Sequence, residues 1–303
     1  MGVPAAMRAT VRERSSTQRA LAELVPCPTV RGRATERRLR RPRWRPREEV
    51  ETVVTAHRHH ATEDARDLEL PRTWQTLIPA APPARGLDVT AAYHPAGSGA
   101  LVGGDFYDVF ETGDAEWVVT LGDVCGKGYD AAVVTALVRG TIRALTERER
   151  SPARVLQGLD QVLHHSTDRY CTAALLHVTR DDAGWVLTAA VGGHPFPLLL
   201  RGDGAPRPIG GHGPLLGVLD DATFRDESVR LQPGDVVLLY TDGVVEGRRG
   251  RELYGEERLQ ATIRSTERRP DTLVSVVMSS VLEFQDGELH DDVALVALGV
   301  PTT

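Results

Sequence analysis

The chain has 303 residues, 41% of them apolar, enough for one large folded domain plus an appendage; only 5% are aromatic, so the core must rest on Val, Leu, Ala and Ile. Three scattered cysteines (Cys27, Cys125, Cys171) exclude a disulfide framework and a CxxC metal site, and no apolar run approaches about 18 residues, so a reduced, cytoplasmic setting without membrane insertion is expected. The net charge of −6 hides an asymmetry: residues 1–60 hold 14 Arg against 6 Glu, and the remainder is acidic.

The chain divides accordingly into an extension, residues 1–67, and a domain, residues 68–303. The stretch Arg31–Arg47 is dense in arginine and broken by Pro42 and Pro46, and it holds too little apolar surface to fold alone. A solvated tail is the stronger reading; a tether for nucleic acid or an acidic partner is the weaker one. His57, His59 and His60 lack acidic or Cys partners at ligand spacing and read as a solvated face.

Within the domain, 74–79 is an amphipathic lead-in ended by proline. Strands are expected at 87–93, 105–110 and 116–121, where apolar residues alternate or run together. Helical spacing follows over about 127–148, and a second helix opens with Ser151 as N-cap and Pro152 at its first position. Strands return at 172–178 and 185–191 around the turn 181–184, then at 197–200, 229–231 and 236–240, with 210–214 as a loop. Helices at about 255–267 and 271–285 precede a last strand, 293–298. This order predicts a layered α+β domain with helices outside strand hairpins, and excludes an alternating βαβ fold.

Acidic residues recur where apolar strands meet turns: Asp105 after Gly103-Gly104, Asp123 before Val124-Cys125-Gly126, Asp242 before Gly243, and Asp291-Asp292 opening the last strand. A single such aspartate is an ordinary turn former, the reading that suits Asp181, Asp203 and Asp235. Clustered carboxylates repel and stay ionised only around a cation, and an all-oxygen set without Cys or His suits Mg²⁺ or Mn²⁺. Spacing alone leaves open whether these segments converge.

The segments Val102-Gly-Gly-Asp-Phe-Tyr-Asp-Val-Phe110, Gly122-Asp-Val-Cys-Gly-Lys-Gly128, Gly192-Gly-His-Pro-Phe-Pro-Leu198, Tyr240-Thr-Asp-Gly-Val-Val-Glu246 and His290-Asp-Asp-Val-Ala-Leu295 resemble, in order, the signatures of one family. It is the SpoIIE-like branch of the PPM (protein phosphatase 2C-type) metal-dependent serine/threonine phosphatases. The resemblance covers about residues 68–300.

It implies an αββα sandwich, two antiparallel sheets flanked by helix pairs, with two Mn²⁺ or Mg²⁺ ions at one end. It implies ligand roles for Asp105, Asp123, Asp242 and Asp291, with the Val124 carbonyl as backbone ligand and Asp292 beside or in place of Asp291. Asp105, Asp123 and Asp242 would thereby carry the catalysis. Asp108 is expected to support a water or a neighbouring strand, Lys127, the only lysine in the chain, to steer a phosphate, and His194 to pack structurally near the site. Relatives outside the branch carry His at the position of Cys125 as the proposed leaving-group acid, a role for which a metal-bound water is one candidate in this chain; many have Thr at the position of Ala294, whose absence is expected to cost one local hydrogen bond and leave the ligands intact.

The implied reaction is attack of a metal-activated water on phosphoserine or phosphothreonine. The implied substrate is a regulatory phosphoprotein, an anti-sigma-factor antagonist, with a separate sensor protein as a further partner. A homodimer is compatible with this. The rival readings are a catalytically silent phosphatase-fold binding module and binding of nucleic acid or an acidic partner through the Arg-rich tail.

Overall fold

The computed structural model describes residues 86–96 and 103–302. The Arg-rich stretch, His57, His59, His60, the expected boundary near residue 67 and the lead-in at 74–79 lie outside the described residues.

Elements are numbered in chain order. One sheet runs β1 (Asp88–His94), β13 (Val293–Gly299), β10 (Val236–Tyr240), β6 (Leu198–Leu200), β7 (Arg207–Pro208). The other runs β2 (Asp105–Gly113), β3 (Glu116–Val124), β4 (Cys171–Asp181), β5 (Gly184–Gly192), β8 (Gly211–Gly213), with β9 (Glu227–Arg230) also paired to β5. A small hairpin, β11 (Arg248–Arg249) and β12 (Glu252–Leu253), stands apart. The helices are α1 (Tyr129–Thr146), α2 (Pro152–Ser166), the single turn α3 (Asp242–Val245), α4 (Gly255–Arg264) and α5 (Pro270–Phe284).

Side-chain alternation along the strands builds the layers. Tyr107 and Val109 of β2, with Trp117, Val119 and Leu121 of β3, face Val237 and Leu239 of β10 and Val296 and Leu298 of β13 across the inter-sheet core. Phe106 and Phe110 point the other way, toward Val138 and Ile142 of α1 and Leu156, Leu159 and Leu163 of α2. On the far side, Leu238 and Leu295 meet Leu259 and Ile263 of α4 and Leu273, Val277 and Val281 of α5. The result is an αββα sandwich.

Local signals act where the sequence carries them. Ser151 Oγ accepts from Arg154 N at 3.2 Å and Pro152 opens α2. Four short features depart from the sequence reading, the first of them β7, for which no strand was expected. The loop expected at 210–214 contains β8, which pairs parallel to β5 in otherwise antiparallel sheets. The turn α3 and the β11–β12 hairpin were not expected either. Elements of two to four residues are too short to show a period, so tertiary pairing decides them. Among the described residues no helix is long and apolar enough to cross a membrane.

Candidate metal centre

The inter-sheet face of β2 and β3 ends in two carboxylates. Asp105 pairs with Asp123 directly across the strands, in register with the apolar pairs Tyr107–Leu121 and Val109–Val119. The face that forms the core therefore becomes acidic at one end of the sandwich. Val124 N donates to Gly104 O at 3.1 Å, which holds the end of β3 against the approach to β2.

The other sheet brings its acids to the same end. Thr241 follows β10; its N–H donates to Ala294 O at 3.1 Å, and its hydroxyl accepts from Ala294 N at 2.9 Å. This reciprocal pair fixes Asp242, the first residue of α3, beside the start of β13, where Asp291 and Asp292 lie. The Thr241 hydroxyl also hydrogen-bonds Asp105, linking the two sheets' acids. Asp292 is buried; its Oδ1 accepts from Ala96 N at 2.7 Å and its carboxylate is hydrogen-bonded by the Tyr93 hydroxyl. Asp291 is exposed and lies 3.4 Å from Lys127 Nζ.

Three glycines make this approach sterically feasible. A Cβ at Gly103 would overlap the Asp292 carboxylate, one at Gly104 the Val124 carbonyl and the Asp123 carboxylate, and one at Gly243 the Asp292 carbonyl. Backbone thus stands where side chains would otherwise keep the acidic segments apart.

The electrostatics record the crowding. Burial, then the Asp123 charge, pushes the Asp105 carboxyl well above the usual carboxylate range. Asp123 is pushed up to about 7 by burial and by Asp242, Asp291 and Asp292, against the pull of Lys127. Asp242 sits at the open rim, yet close packing, Glu246 and Asp291 raise it to about 6. Asp292 is also raised, by burial first, although the Ala96 N–H favours its charged form. These acids are destabilised as anions by one another, the condition a cation relieves.

Among the described residues no three acidic, His or Cys side chains already close around one point as a formed cage. The residues nonetheless fit a hard divalent ion. The donors are all oxygen, Asp105 Oδ2 is buried without a hydrogen-bond partner, and the three glycines leave a cradle that any Cβ would fill. Asp105, Asp123, Asp242, Asp291 and the Val124 carbonyl border this region, and Asp292 is held at its edge by Tyr93 and Ala96.

Of two further expected neighbours, Asp108 is placed elsewhere, and His194 packs beside the end of β3 that carries Asp123. Asp108 lies on the opposite face of β2 from Asp105, fully buried, where Arg143 Nε and Nη2 of α1 each donate to it at 2.7 Å and Arg139 approaches to 3.6 Å. It ties α1 to β2 rather than holding a strand or a water at the centre, because three residues along a strand reverse the face. His194 is buried, its Nδ1 2.9 Å from the hydroxyl of Thr172, which stands opposite Asp123 in the β3–β4 register. Burial lowers the imidazole to about 3, so the ring is neutral near pH 7. Thr241 and Tyr93 were not singled out from the sequence; adjacency to Asp242 was the one available signal for Thr241, and there was none for Tyr93.

A family model described as Stage II sporulation protein E (SpoIIE) matches residues 113–301, which contain Asp123, Asp242, Asp291 and Asp292 but not Asp105. Protein IcfG of Synechocystis sp. is 25% identical over 239 residues, covering 69% of this chain and 37% of IcfG. Phosphoserine phosphatase RsbU of Bacillus subtilis is 27% identical over 228 residues, covering 74% of this chain and 67% of RsbU. The matched region thus spans little more than a third of IcfG and two thirds of RsbU. The solved structure of the PP2C phosphatase domain with a fragment of the regulatory domain of SpoIIE from Bacillus subtilis superposes with a TM-score of 0.62 at 20% identity, covering 71% of this chain and 63% of that one. That likeness identifies the fold as the PP2C phosphatase fold.

Proposed function

The chain belongs to the SpoIIE family, and from that premise we propose that it is a metal-dependent serine/threonine protein phosphatase acting on a regulatory phosphoprotein, an anti-sigma-factor antagonist. The observation that carries this reading is the meeting of Asp105 and Asp123 from one sheet with Asp242, Asp291 and Asp292 from the other at one end of the sandwich. The likeness to RsbU, named a phosphoserine phosphatase, supports the substrate chemistry.

Asp105, Asp123, Asp242 and Asp291 would hold Mn²⁺ or Mg²⁺, two ions in this reading, with the Val124 carbonyl as a neutral donor. Bound there, such ions supply charge neutralisation at the phosphoryl oxygens and a water activated for in-line attack on phosphorus. The protein's own part is positioning: the two sheets deliver the carboxylates from separate stretches of the chain, and Thr241 locks the two deliveries together. Asp292 keeps the β13 entry in place through Ala96 and Tyr93. Lys127, at the open edge beside Asp291, offers a positive charge to an arriving phosphate. Cys171 is not placed as a nucleophile: it is fully buried, and burial pushes its thiol up.

The test is Mn²⁺- and Mg²⁺-dependent hydrolysis of p-nitrophenyl phosphate by the purified chain beside Asp123→Asn and Asp242→Asn, followed by a serine-phosphorylated anti-sigma-factor antagonist. Turnover lost in both variants is expected. Absence of turnover with either metal would favour a silent binding module; cleavage of the aryl phosphate with the phosphoprotein untouched would overturn the substrate and leave the enzyme class.

A further inference from the structure

Val124 ends β3, and the residues that follow it, Cys125–Gly128, are glycine-rich and by themselves loosely determined. Gly126 and Gly128 adopt φ of +102° and +83°, a region open to glycine at little cost and equally easy to leave. Between the end of β3 and the start of α1, this loop needs an external support if the Val124 carbonyl is to point in one direction.

The support comes from residues just before β4. Cys125 N donates to Tyr170 O at 3.0 Å. Because a trans peptide is planar, that bond turns the Val124 carbonyl, on the same peptide group, the opposite way. It points to the space that a Cβ on Gly104 would occupy, beside the Asp123 carboxylate. The next carbonyl, Cys125 O, accepts from Arg169 Nη1 at 2.6 Å. Arg169 Nη2 lies 3.6 Å from Asp130 in the first turn of α1. The guanidinium also fills the place of the missing Cβ on Gly126. Arg169 itself is steadied by its N–H bond to Thr167 Oγ1 at 3.1 Å, and its side chain is half-buried.

We propose that Arg169 is a positioning residue of the metal centre: its guanidinium clamps the Cys125–Gly128 loop and thereby holds the Val124 carbonyl in its ligand direction. This rests on the metal-dependent reading above. The clamp uses the planar fork of arginine, one arm on a carbonyl and one toward a carboxylate, a geometry that lysine cannot reproduce with a single ammonium. Loss of a group that orients a ligand without touching the ion typically weakens metal affinity by about 10–100-fold.

The experiment is calorimetric titration of the full metal-free chain with Mn²⁺, for wild type, Arg169→Ala, Arg169→Lys and Asp130→Ala, with thermal unfolding recorded in EDTA and in Mn²⁺. Arg169→Ala is expected to weaken Mn²⁺ binding at least about tenfold, and to shrink the Mn²⁺-induced rise in Tm more than it lowers the Tm in EDTA. Turnover of p-nitrophenyl phosphate should return toward the wild-type kcat at saturating Mn²⁺. Arg169→Lys should recover part of the affinity, and Asp130→Ala, which leaves the carbonyl arm intact, should stay within about twofold of wild type. If Arg169→Ala does not fold, Arg169→Lys decides, with weaker binding than wild type expected. Mn²⁺ affinity equal to wild type in the folded Arg169 variants overturns the clamp; failure of the wild type to bind Mn²⁺ overturns the metal-dependent reading instead.

Discussion

Asp105 and Asp123 occupy directly opposed positions on the inter-sheet face of β2 and β3, where the next two pairs on that face, Tyr107–Leu121 and Val109–Val119, are apolar. Like charges so placed are destabilising, by up to about 1 kcal/mol for an ordinary cross-strand pair. Neutralising one should therefore stabilise the metal-free protein while removing its response to metal. At pH 8, above the value of about 7 to which Asp123 is pushed, Asp123→Asn is expected to raise Tm in EDTA by about 2–4 °C and to abolish the further rise on adding Mn²⁺. A lower Tm in EDTA would mean that the carboxylate makes a structural contact that outweighs the repulsion.

The same group sets a pH dependence. Asp123 titrates at about 7 in the folded, metal-free protein, against about 4 in an unfolded chain. The folded state binds more protons across that window, so this group's contribution is fully present below about pH 4 and is lost as pH rises through about 7. His194 acts in the opposite sense: lowered to about 3, it contributes fully above about pH 6.5 and loses that contribution as pH falls. Urea unfolding in EDTA from pH 4 to 8 should therefore show a stability–pH slope that becomes more positive in Asp123→Asn than in wild type. Identical slopes would show that Asp123 is not perturbed.

The glycine cradle predicts a sharp steric effect. Gly104→Ala places a methyl group on the Val124 carbonyl and Asp123 carboxylate, and Gly103→Ala places one on the Asp292 carboxylate. Each should cost about 1–3 kcal/mol of stability, as overpacking does, and weaken Mn²⁺ binding in calorimetry. Gly140→Ala, in the middle of α1 with open space around its Cβ position, is the control. It should stabilise by up to about 1 kcal/mol through helix propensity.

Asp108 anchors α1 to β2 through Arg143, whose guanidinium also lies 4.3 Å from the centre of the Phe110 ring. Asp108 is buried but Arg143 is half-exposed, and Arg139 stays 3.6 Å from Asp108 when Arg143 is removed. Arg143→Ala should therefore cost about 1–3 kcal/mol, read from urea unfolding, while Asp108→Asn combined with Arg143→Ala should cost less than the sum of the two single changes. Additive costs would place the stabilisation outside this pair.

At the start of α2, Ser151 both accepts from Arg154 N and hydrogen-bonds Asp226. Ser151→Ala should destabilise by about 1 kcal/mol, and Ser151→Asp should lose more than a simple cap exchange, because its charge would face Asp226. Equal stability of the two variants would remove Asp226 from the account.

The amino-acid sequence by itself determined the layered α+β class, the position of the longer strands and helices, the Ser151–Pro152 helix start and the set of aspartates at strand ends. These are legible because side-chain periodicity, caps and Asp-Gly turns act over a few residues, and because five short motifs stand in a recognisable order. Only the tertiary structure decided which carboxylates meet. Asp108 belongs to the same motif as Asp105, yet strand alternation turns it toward α1 and Arg143. Asp292 adjoins Asp291, yet it is bound to Ala96 and Tyr93, about two hundred residues away in the chain, while Asp291 faces Lys127. Arg169 carries no motif at all and reaches Cys125 only because β3 and β4 are neighbours. The reason is the same in each case: a local pattern records which face or turn a residue occupies, whereas the partner on that face is supplied by a distant segment, and sheet register and helix packing alone bring the two together.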